Sequence, residues 1–139
     1  MAPLLLCLVV AISDGDTIKV RCGETGAYEE IRVRLAEIDA PEKNQPFGQR
    51  SKQSLSDLCY QARAVIKPVT KDRYGRTVAR VECRGKDANS SQVQAGLAWA
   101  YTKYLTDQGI KRDEEAARAA GLGLWADKNP MPPWEWRHR

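Results

Sequence analysis

The feature that most constrains this chain is the two-residue alternation of its first half. In Ile31-Arg32-Val33-Arg34-Leu35 the apolar side chains fall on one face and the two arginines on the other, as a half-buried strand requires. Thr17-Ile18-Lys19-Val20-Arg21 alternates in the same way. Before it lies the apolar run Leu8–Ile12, and Asp14-Gly15 between the two is a strong short-hairpin signal. The two segments are therefore expected to pair. The opening Met1–Ile12 is apolar enough to suggest a secretory signal. It lacks a basic leading region, passes directly into Ser13-Asp14-Gly15-Asp16 and is shorter than a bilayer span. Most of it reads as a buried first strand.

After Pro41 the pattern changes. Asn44-Gln45-Pro46 opens a helix from about Gly48 to Tyr60, with Leu55 and Leu58 as a narrow apolar stripe. Ala64-Val65-Ile66 and Thr77–Val81 read as two more strands, separated by the polar Lys71–Arg76. Ser90–Gly96 is a short helix with Gly96 as its terminator, and Arg112–Ala120 a second one that Gly121 stops. The tail Pro130–Trp136 is expected to pack extended against the body. There is no repeat, linker or second domain, so residues 1–139 are read as one domain. Five short strands with about three helices point to an α+β fold, and a five-stranded OB-type β-barrel fits the strand count and the helix after the third strand.

The inventory of reactive side chains narrows the chemistry. The only histidine is His138, beside the C-terminus, where chains fray. A Ser-His-Asp triad, a Cys-His pair or an imidazole-built zinc site would all rest on it. Catalysis must then run on carboxylates, arginines, lysines, tyrosines or bound ions. Cys7, Cys22, Cys59 and Cys83 form no C-x-x-C pair, which argues against a zinc knuckle or a redox dithiol. They suit two disulfides or four buried thiols, and Cys7 and Cys22 can face each other across a hairpin. A net charge of +4 is a mild pointer to a polyanionic partner.

Three segments concentrate polar chemistry. Asp14-Gly15-Asp16-Thr17, taken alone, is a tight turn. Arg34 with Asp39, Pro41 and Glu42 is a solvated strand end, and Asp72-Arg73-Tyr74-Gly75-Arg76 a polar hairpin tip. Together they supply what hydrolysis of a phosphodiester needs. The anion repels an attacking water until its charge is neutralised, which a cation does as a Lewis acid while guanidiniums fork onto phosphate oxygens. With no imidazole or soft ligand nearby, the cation should be hard and oxygen-bound, Ca²⁺ or Mg²⁺. Asp16 and Asp39 can supply two carboxylates, which leaves Glu42 as a base for water.

The chain resembles the staphylococcal nuclease (thermonuclease) family over nearly its whole length. The resemblance rests on Asp14-Gly-Asp-Thr17, Arg34-Leu with Ile38-Asp-Ala-Pro-Glu42, Asp72-Arg-Tyr-Gly-Arg76, Asn89 with Val93-Gln-Ala-Gly-Leu-Ala98, and Gly123-Leu-Trp125, all in the family's order. It implies an OB-fold barrel with helices and Ca²⁺-dependent hydrolysis of DNA and RNA that leaves 3′-phosphate ends. By the same resemblance Asp16 and Asp39 match the calcium carboxylates and the Ala40 carbonyl the backbone ligand. Glu42 matches the proposed general base, and Arg34 and Arg76 match the phosphate-gripping pair. Tyr74 is expected at the substrate. The family's two tyrosines one residue apart are replaced here by Tyr101 and Tyr104, so Tyr104 is either a nucleotide contact or structural. Lys43, Lys71 and Arg73 steer the polymer's phosphates or are ordinary solvated charges. Trp125, Trp134 and Trp136 are read as core and tail packing.

The reading is thus of a sugar-nonspecific, Ca²⁺-dependent nuclease, monomeric, with no membrane segment, and secreted or periplasmic. A noncatalytic nucleic-acid-binding module would be expected to have lost acidic positions, and a protein-interaction domain would leave the paired arginines without a purpose.

Overall fold

Leu5–Asp14 (β1) and Thr17–Cys22 (β2) form the expected antiparallel hairpin, with Cys7 opposite Cys22 and Asp14 opposite Thr17. The computed structural model describes residues 3–139. The reading of a mostly buried first strand is corrected. Cys7 and Val9 face the core, whereas Leu4, Leu6 and Leu8 are exposed. Alternation in a barrel wall turns every second residue outward, whatever its polarity. The hairpin turns without a positive φ at Gly15 or Asp16. Glycine is required there for close approach: a Cβ at Gly15 would lie 1.8 Å from Ser51 Oγ and 2.9 Å from Ala40 Cβ.

Glu29–Leu35 (β3) pairs antiparallel with β2 and sets Arg34 opposite Thr17. The chain then turns at Ala36–Glu37, with Glu37 in the left-handed region at φ 69°, and enters the two-residue strand Ile38–Asp39 (β4). This turn is held from several sides. The Glu37 carboxylate accepts from the Thr106 N–H and hydroxyl and from the Asp107 N–H, and its carbonyl accepts from Tyr101 N–H. Strain of this kind persists only where the surroundings over-determine it.

Gly48–Cys59 (α1) buries Ser51, Leu55 and Cys59, with Leu58 partly buried against the core, as its apolar stripe predicts. Arg63–Lys71 (β5) pairs antiparallel with β1 and with Thr77–Cys83 (β6). The barrel closes through a parallel match of β6 with β3, in which Val33, Arg34 and Leu35 lie opposite Thr77, Val78 and Ala79. The result is the α+β, OB-type barrel of five strands, filled by Ile18, Val20, Val33, Leu35, Ile66 and Val81. Buried Asn89 clamps the closure: its Oδ1 accepts from Val81 N–H, and its Nδ2 donates to the carbonyls of Ala36 and Ala79.

Lys86–Asp87 (β7) leads into Ala88–Gln94 (α2), capped by the Asp87 carboxylate on Ser90 N–H, and Gly96 at φ 72° follows its end. Trp99–Ala100 (β8) pairs with β4. Gln108–Ala120 (α3) starts four residues earlier than Arg112, because Asp107 caps it through Gly109 N–H and Ile110 is buried. Gly121, left-handed at φ 64°, ends it as expected. A 3-10 turn at Gly123–Ala126 follows. The tail corrects the extended expectation: Pro133–Trp136 (α4) is a single helical turn, with proline at a first-turn position it tolerates well. Both disulfides are formed, Cys7–Cys22 and Cys59–Cys83, and no free cysteine remains among the described residues.

Candidate active site

The β1–β2 turn, the end of β3 and β4 converge at one end of the barrel, and each brings a charged side chain. Arg34 is the hub. Its Nη1 donates to the carbonyls of Leu35 and Ile38 at 2.9 Å each, which fixes the guanidinium over the β3–β4 turn. From there it faces Asp16 Oδ2 at 3.3 Å and Asp39 Oδ1 at 3.2 Å. One cation therefore bridges two carboxylates that lie 23 positions apart in sequence and are both buried. Asp16 is tied further, accepting from the Ala40 N–H at 2.7 Å and from the Thr17 hydroxyl at 2.9 Å.

Burial dominates the electrostatics of the site. Burial, then the neighbouring Asp16, pushes the Asp14 carboxyl up to about 7. Burial likewise pushes Asp39 to about 6, with the Asp16 charge adding to it and hydrogen bonds from Arg137 opposing it. Burial acts to raise Asp16 too, but Arg34 and its hydrogen bonds outweigh this and hold it below the usual carboxylate range. Among the described residues no three carboxylates, thiolates or imidazoles form a metal cage by themselves. A cation here would draw on two carboxylates and complete its shell with main-chain carbonyls and water.

The other expected residues are placed differently. Arg34 lies opposite Val78, and Arg76 immediately precedes β6 at the end of the hairpin turn. Its Nε donates to Asp72 Oδ2 at 2.8 Å, and among the described residues it makes no hydrogen bond or ion pair with Arg34, Asp16 or Asp39. Tyr74 is exposed at the hairpin tip beside the guanidiniums of Arg73 and Arg76. Tyr104 is exposed and packs edge-on against Tyr101, which stacks on Trp134. The structure thus joins Asp16, Asp39, Ala40, Glu42 and Arg34, places Arg76 and Tyr74 at the β5–β6 hairpin with no hydrogen bond to them among the described residues, and leaves Tyr104 exposed at the edge of an aromatic cluster with the tail.

Arg137 is the residue that sequence reasoning missed. It forks onto Asp39 at 2.7 and 3.2 Å, and its Nη1 donates to Glu42 Oε1 at 2.6 Å. Hydrogen bonds to Asp39 first, then to Glu42, hold it above the ordinary arginine range. The contact spans 98 positions, and no local pattern signals it.

A family model described as staphylococcal nuclease homologue matches residues 32–127. A Haemophilus influenzae protein named uncharacterized endonuclease is 49% identical over 133 residues, covering 96% of this chain and 73% of the relative. A micrococcal nuclease of Shigella flexneri is 42% identical over 140 positions, covering 93% of this chain and 78% of the relative. The staphylococcal-like nuclease CAN1 of Arabidopsis thaliana is 37% identical over 109 residues, covering 78% of this chain and 34% of the relative.

Proposed function

The chain belongs to the staphylococcal nuclease family and is a phosphodiester-hydrolysing nuclease, and we propose that Ca²⁺ is its cofactor, DNA and RNA its substrates and 3′-phosphate ends its products. The observation that carries this reading is the pairing of buried Asp16 and Asp39 on one guanidinium, Arg34, with Glu42 a few residues on. Two guanidiniums, Arg34 and Arg137, meet three carboxylates, Asp16, Asp39 and Glu42, and an all-oxygen donor set suits a hard cation.

Asp16, Asp39 and the Ala40 carbonyl would hold Ca²⁺, which as a Lewis acid withdraws charge from the phosphate when bound. Glu42 takes a proton from the attacking water as its oxygen bonds to phosphorus. Arg34 and Arg76 fork onto the equatorial oxygens and stabilise the extra charge of the five-coordinate phosphorus. The bond to the 5′-oxygen then breaks, the leaving oxygen takes a proton from solvent water, and the phosphate stays on the 3′ side. Tyr74 and Tyr104 are the proposed substrate contacts, without sugar preference. The two disulfides support a secreted or periplasmic home. Among the described residues no helix is long and apolar enough to cross a membrane, and we read the chain as monomeric.

Digestion of single-stranded DNA, duplex DNA and RNA with Ca²⁺, Mg²⁺ or chelator tests the proposal. Calcium-dependent loss of all three polymers is expected. Binding without cleavage under every condition would replace the enzyme with a nucleic-acid-binding module.

A further inference from the structure

The polypeptide after the 3-10 turn crosses the site as a strap, and it lies beyond the residues that the family model matches. Three contacts anchor it independently of the carboxylates. The Met131 carbonyl accepts from Gln45 Nε2 at 2.7 Å, and Trp136 Nε1 donates to Asn44 Oδ1 at 3.3 Å. Trp134 stacks on Tyr101 with ring centroids 5.3 Å apart and meets Trp99 edge-on at 5.6 Å. Two of these anchors, Asn44 and Gln45, belong to the segment that immediately follows Glu42. Gln45 Oε1 also accepts from the Glu42 N–H at 3.0 Å. The strap therefore braces the backbone of Glu42 and delivers Arg137 to its side chain.

The carboxylate of Glu42 is about one-third exposed, and among the described residues Arg137 is the one side chain that hydrogen-bonds it. The same Nη1 also reaches Asp39 Oδ1, so a single guanidinium fixes the distance between Glu42 and Asp39. A flexible glutamate on a turn samples several rotamers, and a group that must take a proton at one point is held by such a partner. We propose that Arg137 is a positioning residue of the nuclease, holding the Glu42 carboxylate against Asp39 through a fork that the strap delivers. This inference rests on the role given to Glu42 above.

At saturating Ca²⁺, where any effect on Asp39 is offset, the loss of kcat on removing Arg137 depends on Glu42 being a carboxylate. In Arg137→Ala, kcat on single-stranded DNA is expected to fall about 10- to 100-fold with KM within about threefold. In a Glu42→Gln background the same substitution should cost nothing further. Arg137→Lys should not restore the rate, since an ammonium cannot span both carboxylates as a fork does. In cation-free protein, the carboxyl carbon resonance of Glu42 should move in Arg137→Ala and stay in place in Arg63→Ala, an exposed arginine on β5. An equal loss of kcat in both backgrounds, an unmoved resonance or a faster Arg137→Ala enzyme would overturn the inference, the last by making the strap a plug. A wild-type rate in Glu42→Gln removes the base and this inference with it. An inactive Glu42→Gln beside an unimpaired Arg137→Ala removes the inference alone.

Discussion

Gly48, the first residue of α1, gives a prediction whose sign runs against the usual rule. Replacing a helical glycine by alanine ordinarily stabilises by about 1 kcal/mol or less. Here a Cβ would lie 1.9 Å from the carbonyl oxygen of Glu42, 2.8 Å from its carbon and 3.0 Å from the oxygen of Lys43. All three are backbone atoms, so no side-chain rotation relieves the clash. Opening the first contact from 1.9 Å even to 3.0 Å moves the two backbones apart by about 1.1 Å. The Glu42 carbonyl accepts from Gln45 N–H at 2.9 Å, and that hydrogen bond must stretch with it. Overpacking of this order costs about 1–3 kcal/mol, which in a domain of this size is roughly 3–10 °C in Tm. A displacement near 1 Å at a catalytic group costs on the order of 100-fold in rate. Gly48→Ala should therefore lower both Tm, read by circular dichroism, and kcat on single-stranded DNA. A variant as stable as the parent and as fast would show that Gly48 does not hold Glu42 in place.

Arg34→Lys should lose on the order of 100-fold or more in kcat, because an ammonium cannot satisfy two carbonyls and face two carboxylates; a wild-type rate would remove Arg34 from the phosphate grip. Mass spectrometry after alkylation should find no reactive thiol before reduction and four after it, and thiols in unreduced protein would contradict the pairing. Asp107 lies below its ordinary 3.8 because of hydrogen bonds from Arg80 and then Gly109 N–H, so the stability it adds is present above pH 3.8 and is lost as pH falls through the lowered value. Asp107→Asn keeps a capping side chain but not the charge, so its deficit in Tm should be visible at pH 6 and shrink in acid. A deficit that is independent of pH would refute the ionic account.

What was legible in the sequence was short-range. The alternation of Ile31–Leu35 fixes which way Arg34 points, and Asp16, Asp39 and Glu42 sit beside turns that their own neighbours announce. The parallel β3–β6 closure leaves no such trace, because it joins segments about 44 residues apart without a turn between them. The strands β4 and β8 are two residues each, too short for any period to register. Gly109 hid the true start of α3, whose first turn is held by buried Ile110 and the Asp107 cap and not by propensity. Arg137 was illegible for a similar reason: its meaning comes from Asp39 and Glu42, and the proline- and tryptophan-rich segment around it advertises only packing.

The parallel closure of the barrel has a mechanical consequence. It consists of three residue pairs, and neither disulfide crosses it: one ties β1 to β2, the other α1 to β6. The seam is held by its own ladder and by Asn89, and parallel ladders are slightly weaker per residue than antiparallel ones. Arg34 is the middle residue of that ladder on the β3 side. When heat or denaturant begins to part the wall, the first strand to loosen carries the hub of the carboxylate network. Enzymatic activity should then vanish while the covalently tied β1–β2 hairpin and α1–β6 pair still report a folded protein.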